Sequence, residues 1–457
     1  MTGGFLTSNG IRQTTWLILP FLQLLLLSFI ARPAFRIEWE VLAGFVTITS
    51  YASWRLFADK HPFSLNKIWW LFTGMFLGFI PSIQAALYHT PWYSHDITHP
   101  VMLHANVVII GCLLLYSAVH YLLSGRDLLR PLRFEPISVG FVKRFTVVGP
   151  LLLGLCGIGL FMAYGWRGLF LRGYLEMRAH HFNPTLQLLF DKGIRGIVLY
   201  ISLVAIILYR QHKLSVLITF FILSVAFVLN FPLAIPRYLA FTVYLAWLLA
   251  AQWKWMEKGR VFVLSILSVL LLAGPLVGVT RYAGIDMSIR IQNPSAIFEH
   301  AYLTSDYDAY SSLCRTIYYV DTAGSTHGRQ LAGVGLFFVP RKVWPQKPIG
   351  SGAFLFTELN FDFKNVSCTW LAEGYINFGL TGSILFTIAM AIGISYYDYA
   401  FWKRKMADNN NYFHIFYFVF TGMLMFLLRG DLLSSFAYTC GLFLSGFVLH
   451  KLLKART

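Results

Sequence analysis

Charged residues are scarce in this chain. Asp, Glu, Lys and Arg make up 12% of its 457 residues, whereas soluble domains carry about a quarter. Hydrophobic residues make up 57%, and the mean hydropathy is +0.61. Apolar runs of about 20 residues recur along the chain, which excludes a large soluble core. The composition therefore predicts an all-α polytopic membrane protein.

Several sequence motifs are also missing. The chain has no Cys-x-x-Cys pair, no glycine-rich nucleotide loop, no GxSxG and no HExxH. A cysteine metal site, a nucleotide-driven reaction and a serine hydrolase therefore have no support. Cys112, Cys156 and Cys440 are expected to fill gaps between helices. Cys314 and Cys368 share a long polar segment and could form a disulfide if it faces an oxidising compartment.

Basic residues outnumber acidic ones, and the net charge is +17. The chain has neither a basic low-complexity tail nor a nucleic-acid motif, so nucleic acid is excluded as a partner. Lysine and arginine instead anchor helices to anionic membrane lipids.

Twelve apolar runs predict about twelve transmembrane helices, and the first is expected to be a retained helix rather than a cleaved signal peptide. An even number places both termini on one side of the membrane. The runs cover residues 14–31, 38–57, 68–88, 101–123, 145–165, 194–210, 214–230, 238–253, 261–279, 378–398, 411–428 and 434–451.

The distribution of basic residues predicts the orientation. Alternate short loops are rich in lysine and arginine and are assigned to the cytoplasm with both termini. Segment 280–377 carries eight basic and eight acidic residues and is assigned to the outside, although Arg32 and Arg36 break the pattern. The predicted organisation is nine helices in 1–279, a large extracytoplasmic loop, and three helices in 378–457.

The second half of that loop contains an unusual stretch, residues 334–348, which read VGLFFVPRKVWPQKP. Its three prolines are incompatible with regular helix. Arg341 and Lys347 are therefore expected to lie on rigid, irregular backbone beside the membrane, an arrangement suited to holding an anion.

Further arginines lie at the predicted outer ends of helices, namely Arg237, Arg281 and Arg429. They either extend to the membrane interface individually or converge with Arg341 and Lys347 on one ligand. Guanidinium groups match phosphate geometry, and a charge at that depth requires a partner. A lipid-linked phosphate or diphosphate fits the second interpretation.

Three acidic residues are candidates for a general base toward a sugar hydroxyl, namely Asp306, Asp308 and Glu373. The alternative for each is a salt bridge to one of these arginines. Asp431 is expected to cap a helix or pair locally. The histidines fit no standard metal motif, and no metal is expected. The loose histidine-rich cluster comprises His89, His95, Asp96, His99 and His104.

Two motifs, FVPRKVWPQKP at 338–348 and LAEGYINFG at 371–379, give the chain a resemblance to the Wzy-type O-antigen polymerases. These enzymes polymerise oligosaccharide repeat units. The resemblance covers roughly residues 230–440. The supporting features are Tyr307–Tyr310, Thr280–Tyr282, Arg237 and Arg429.

The resemblance implies a multispan, GT-C-like glycosyltransferase without a cofactor in the bacterial inner membrane. It would transfer the growing glycan from undecaprenyl diphosphate onto the next lipid-linked repeat unit at the outer face, with inversion and without metal. The five cations named above would stabilise the diphosphate, and Asp308 or Glu373 would orient or deprotonate the acceptor. Membrane lipids and a chain-length regulator protein are the other expected partners.

Two other functions compete with this one. An O-antigen ligase would use the same lipid donor, but ligases usually place a histidine in the outer loop. Here His300 and His327 are the histidines of 280–377, and neither lies in a convincing motif. A transporter or flippase would require charges at mid-membrane depth, and the apolar runs are nearly free of them.

Overall fold

A computed structural model describes residues 15–30, 38–87, 97–124, 137–179, 189–252, 258–273, 307–363, 366–407 and 411–454. This part of the chain contains helices and no β-strand. The helices are α1 (Ile18–Ile30), α2 (Trp39–Ala58), α3 (Leu65–Ala86), α4 (His99–Leu123), α5 (Val139–Phe170), α6 (Arg172–Ala179), α7 (Arg195–Arg210), α8 (Val216–Leu229), α9 (Arg237–Ala251), α10 (Gly259–Ser268), α11 (Ala309–Ala323), α12 (Arg329–Gly335), α13 (Ser351–Glu358), α14 (Trp370–Ala407), α15 (Phe413–Arg429) and α16 (Leu432–Leu453).

Where the structure describes them, the apolar runs coincide with helices, which confirms the prediction of an all-α polytopic membrane protein. Within the described ranges, six helices are long and apolar enough to cross a membrane, namely α3, α4, α5, α7 with its preceding turn, α14 and α16. Five other apolar helices have 10–17 residues. The count of twelve spans stays a prediction.

Helix α3 lies at the centre of the fold and is almost entirely buried. In contrast, α5 and α8 expose large apolar side chains, including Leu151 at 62% and Leu217 at 78%. An apolar surface of this kind suits contact with lipid, because apolar side chains have no polar groups that need a hydrogen bond there.

The start of α3 is held by a carboxylate from a distant helix. Asp398 of α14 accepts the backbone N–H groups of Leu65 at 2.9 Å and Asn66 at 3.0 Å. It also accepts the hydroxyl of Tyr417 in α15. The first N–H groups of a helix have no partner within the helix, so Asp398 satisfies two of them and ties three helices together.

We expect Asp398→Ala to lower the free energy of unfolding by about 3 kcal/mol or more, because three buried donors lose their acceptor. Thermal unfolding of the purified protein in detergent measures the change. Asp362 is exposed, and Asp362→Ala is the matched control. Equal melting temperatures for the two variants would show that the Asp398 junction contributes nothing.

Helix α14 is broken near its start. Phe378 has φ −145° and Gly379 has φ 61°, and both depart from helical geometry. Positive φ is readily adopted by glycine and costs other residues energy. The break coincides with the start of the tenth predicted span at residue 378, but helix continues on both sides of it.

The short segment 370–377 folds back against the remainder of α14. The hydroxyl of Ser383 donates to the carbonyl of Leu371 at 2.9 Å. A Cβ atom added at Gly382 would lie 1.9 Å from the carbonyl oxygen of Gly374. Two glycines therefore permit backbone contact between the two parts of α14.

The polar segment 280–377, which is predicted to be one large loop, contains helices. Residues 274–306 lie outside the described residues. From residue 307 onward, the chain forms α11, α12, α13 and the start of α14, and Arg315 and Thr316 of α11 are 0% exposed. Residues 336–350, which contain all of the proline-rich stretch except its first two residues in α12, have the predicted irregular backbone.

Candidate functional site

Several elements meet at the start of α16, a region we call the α16 junction (residues 429–434, 350–352 and Glu373). Asp431 caps α16, accepting the N–H of Ser434 at 3.1 Å. Its second oxygen accepts the N–H of Gly352 from α13 at 3.2 Å. One carboxylate therefore caps two helix starts.

Glu373 is the second carboxylate of the α16 junction and is 1% exposed. It accepts the hydroxyl of Ser351 at 2.7 Å and the N–H of Leu432 at 2.8 Å. The negative charge of Asp431 acts unfavourably on that of Glu373. The contacts place Glu373 as a link between α13, α14 and α16, and its role as a general base stays a prediction.

Burial changes the pKa values of two groups beside Glu373, the Asp431 carboxyl and the Cys368 thiol. Burial raises the pKa of the Asp431 carboxyl, while the N–H groups of Ser434 and Gly352 oppose that change. Burial also raises the pKa of the Cys368 thiol, and the charge of Glu373 adds to the effect. Cys314 and Cys368 are both buried free thiols, so the structure does not contain the disulfide considered from the sequence.

Asp308 forms an ion pair with Arg429, in which the guanidinium Nη2 lies 3.2 Å from the carboxylate Oδ1. Asp308 also accepts the hydroxyl of Ser367 at 2.6 Å and its N–H at 3.1 Å. Asp308 is 1% exposed and the Arg429 side chain 28% exposed. The salt bridge weighed as an alternative for Asp308 is therefore present, and it holds Arg429 in one orientation.

Two basic side chains of the proline-rich stretch donate hydrogen bonds to the backbone of the same stretch. Arg341 donates to the carbonyl oxygens of Lys347 at 2.7 Å and Pro348 at 3.3 Å. The Lys347 ammonium donates to the carbonyls of Phe337 at 2.6 Å and Val339 at 3.0 Å. Partial burial and then the charge of Arg341 lower the pKa of Lys347. Arg341 is exposed, so an anion can reach its outer edge.

This stretch packs against α16 near its beginning, and the residues that follow it reach the α16 junction. The ring of Phe337 meets that of Phe436 in α16 edge to face at 5.9 Å. At the other end, a Cβ on Gly350 would lie 2.2 Å from Oδ2 of Asp431. The structure thus brings the proline-rich stretch close to the α16 junction, which contains Arg429. The convergence of the five cations on one ligand stays a prediction.

Arg237 begins α9, and its neighbour Tyr238 stacks on Phe426 with 3.9 Å between ring centroids. Phe426 lies one helical turn before Arg429, so Arg237 and Arg429 occupy the same end of two packed helices. Arg281 and Asp306 lie outside the described residues.

The sequence analysis did not identify two buried basic residues. Lys192 is 3% exposed and Arg195 is 0% exposed. The Lys192 ammonium donates to the hydroxyl of Tyr238, and the Arg195 guanidinium donates to the carbonyl of Leu229. The sequence signal for this pair was the presence of two basic residues, three positions apart, at the start of an apolar run.

One group in the described part of the chain has the spacing of metal ligands. Potential ligand atoms of Glu38, Glu40 and His99 lie within 4.8 Å of one another. Nδ1 of His99 is 3.0 Å from Oε2 of Glu38, whose side chain is 60% exposed. A surface ion pair explains this arrangement, and none of the three residues belongs to the α16 junction. His89, His95 and Asp96 lie outside the described residues.

No family model, curated protein or solved structure matches this chain.

Proposed function

We propose that the chain is a polysaccharide polymerase of the bacterial inner membrane. It transfers the growing glycan from undecaprenyl diphosphate onto the next lipid-linked repeat unit at the outer face. The observation that carries the proposal is the Asp308–Arg429 ion pair beside the docked proline-rich stretch. A fixed, partly exposed guanidinium and the exposed Arg341 lie on elements that meet at the α16 junction.

The cations suit the chemistry of the leaving group. The acceptor hydroxyl oxygen attacks the anomeric carbon, and the bond from that carbon to the diphosphate oxygen breaks. The lipid diphosphate leaves with the electron pair, and its charge is stabilised by guanidinium groups that were oriented before the reaction. One displacement inverts the anomeric configuration.

The proton of the acceptor hydroxyl requires a base. Glu373 and Asp308 remain the proposed candidates, although both accept several hydrogen bonds in the structure. Asp308 is held by Ser367 and in turn holds Arg429, which favours a positioning role for it. Glu373 would first have to release the Ser351 hydroxyl in order to contact a substrate.

Reconstitution tests the proposal. Purified protein in proteoliposomes, given a lipid-diphosphate-linked repeat unit and EDTA, is expected to produce a ladder of evenly spaced glycans. If folded protein produced no ladder but moved the lipid-linked unit across the bilayer, the protein would be a transporter. In a parallel reaction that also contains lipid A core, transfer to that core in place of the repeat unit would identify a ligase.

We expect Arg341→Ala to reduce ladder formation by about a hundredfold, because it removes a cation from the developing diphosphate charge. Lys342 is exposed in the same stretch, and Lys342→Ala is the control. Melting temperatures of both variants show whether loss of the Arg341 hydrogen bonds has unfolded the stretch. Equal ladders from two folded variants would remove Arg341 from the site.

A further inference from the structure

Lys192 occupies an unusual position for a lysine. It lies on the π-helical turn Leu189–Ile194, which leads into α7, and it is the first residue of a segment that is apolar and long enough to span a membrane. Its side chain is 3% exposed. An ionisable side chain within a membrane span is costly and usually functional, and π-helical turns are frequent at functional sites.

Aromatic side chains surround the Lys192 ammonium. The nitrogen lies 4.1 Å from the ring centroid of Tyr438 and 4.9 Å from that of Tyr238. It also donates to the Tyr238 hydroxyl. Ring faces attract a cation, so the Tyr438 ring favours the charged form, while Tyr238 contacts the ammonium through its hydroxyl. We call Lys192, Tyr238 and Tyr438 the Lys192 cage. A hydroxyl that accepts a hydrogen bond retains its own proton to donate.

The Lys192 cage lies further along α16 than the α16 junction. Tyr438 is six residues into α16, or about 9 Å along the helix axis at 1.5 Å per residue. The hydroxyl of Ser445, further along α16, donates to the Lys192 carbonyl at 3.2 Å. Lys192 is therefore held against the inner part of the helix whose start forms the junction.

The cage connects directly to the cations of the proposed site. Arg237 immediately precedes Tyr238, whose ring stacks on Phe426 at 3.9 Å. Arg429 follows Phe426 by three residues. Positive groups thus extend from the α16 junction along α16 to Lys192.

We propose that Lys192 is a further substrate-binding residue, whose ammonium contacts a phosphate group of the lipid carrier while Tyr238 positions it. The identity of that lipid rests on the proposed function. A phosphate offers several acceptor oxygens, and ammonium is a common phosphate ligand. Two sources share this chemistry, a polyprenyl diphosphate and the headgroup of a bilayer phospholipid.

A binding measurement separates these sources and does not require polymerisation. Detergent-solubilised wild-type protein is titrated with undecaprenyl diphosphate, phosphatidylglycerol or inorganic diphosphate, and Kd is determined by microscale thermophoresis. We expect undecaprenyl diphosphate to bind most tightly. Equal affinity for phosphatidylglycerol, or binding of inorganic diphosphate alone, would overturn the assignment of Lys192 to the lipid carrier.

Variants then test the residue itself. Lys192→Met is expected to weaken binding of undecaprenyl diphosphate by about ten- to a hundredfold, the effect of one charged hydrogen bond. Tyr238→Phe retains the ring and its stacking but removes the hydroxyl, and a smaller loss is expected. Lys213 is exposed beyond the opposite end of α7, and Lys213→Met should bind as the wild type does.

The outcomes distinguish this inference from the proposed function. If Lys192→Met weakens binding but the wild type forms no ladder, the phosphate site stands and polymerisation fails. If Lys192→Met melts near the wild-type temperature and retains its affinity, the inference is wrong, whatever the ladder shows. Should Lys192→Met be unfolded, Tyr238→Phe decides, and unchanged affinity in that variant overturns the inference.

Discussion

Gly382→Ala is expected to destabilise the protein by about 3 kcal/mol or more and to abolish activity. The added Cβ would lie 1.9 Å from the Gly374 carbonyl oxygen and 2.6 Å from its carbon. These are backbone atoms, so no side-chain rotation relieves the contact, and overpacking of this kind is costly. Segment 370–377 would have to move away from the rest of α14 and carry Glu373 with it.

Gly393 on the same helix provides the matched control. A Cβ at Gly393 meets no atom within 4 Å, and alanine in a helix is favoured over glycine by roughly 1 kcal/mol. Gly393→Ala should therefore melt at or above the wild-type temperature. The two variants are compared by thermal unfolding in the same detergent, and similar melting temperatures would contradict the folded-back arrangement.

Among the substitutions of site cations, Arg429→Met is expected to reduce polymerisation most, by about a hundred- to a thousandfold, because it removes a preorganised cation. It should also destabilise the fold by about 3–5 kcal/mol, since the carboxylate of Asp308, 1% exposed, loses its charged partner. Ladder formation in proteoliposomes and thermal unfolding measure the two effects separately.

Asp308→Asn separates the roles of the pair. The double variant Asp308→Asn with Arg429→Met should be more stable than Arg429→Met alone, because no unpaired carboxylate remains buried, yet it should stay inactive. If Asp308 positions Arg429, Asp308→Asn alone retains residual activity with an unchanged pH profile. Complete loss of activity in a folded Asp308→Asn variant would instead identify Asp308 as the base.

The helices could be predicted because the signal is local. A membrane segment must pair its backbone N–H and C=O groups within itself, so an apolar run predicts a helix without reference to the rest of the chain. Helices were found at those runs. The irregular backbone of residues 336–350 was also predictable, since proline prevents regular helix. The helical content of 307–335 was missed because its polar composition resembled a loop.

For the site, the sequence predicted which residues could take part but left open which of them contact each other. Asp308 and Arg429 are 121 residues apart in the chain, and no periodicity specifies which acid pairs with which arginine. The Lys192 cage was missed because it requires tyrosines from α9 and α16. The contact between Gly374 and Gly382 depends on the break at Gly379, which the sequence showed only as a glycine at the edge of an apolar run.

Release of the lipid carrier is the most direct test of glycan transfer by this protein. In proteoliposomes with a lipid-linked repeat unit, free undecaprenyl diphosphate is counted against new glycosidic bonds. Transfer of the growing chain from its carrier predicts one released carrier for each bond formed, with EDTA present. Movement of the lipid-linked unit across the bilayer without any released carrier would contradict the polymerase.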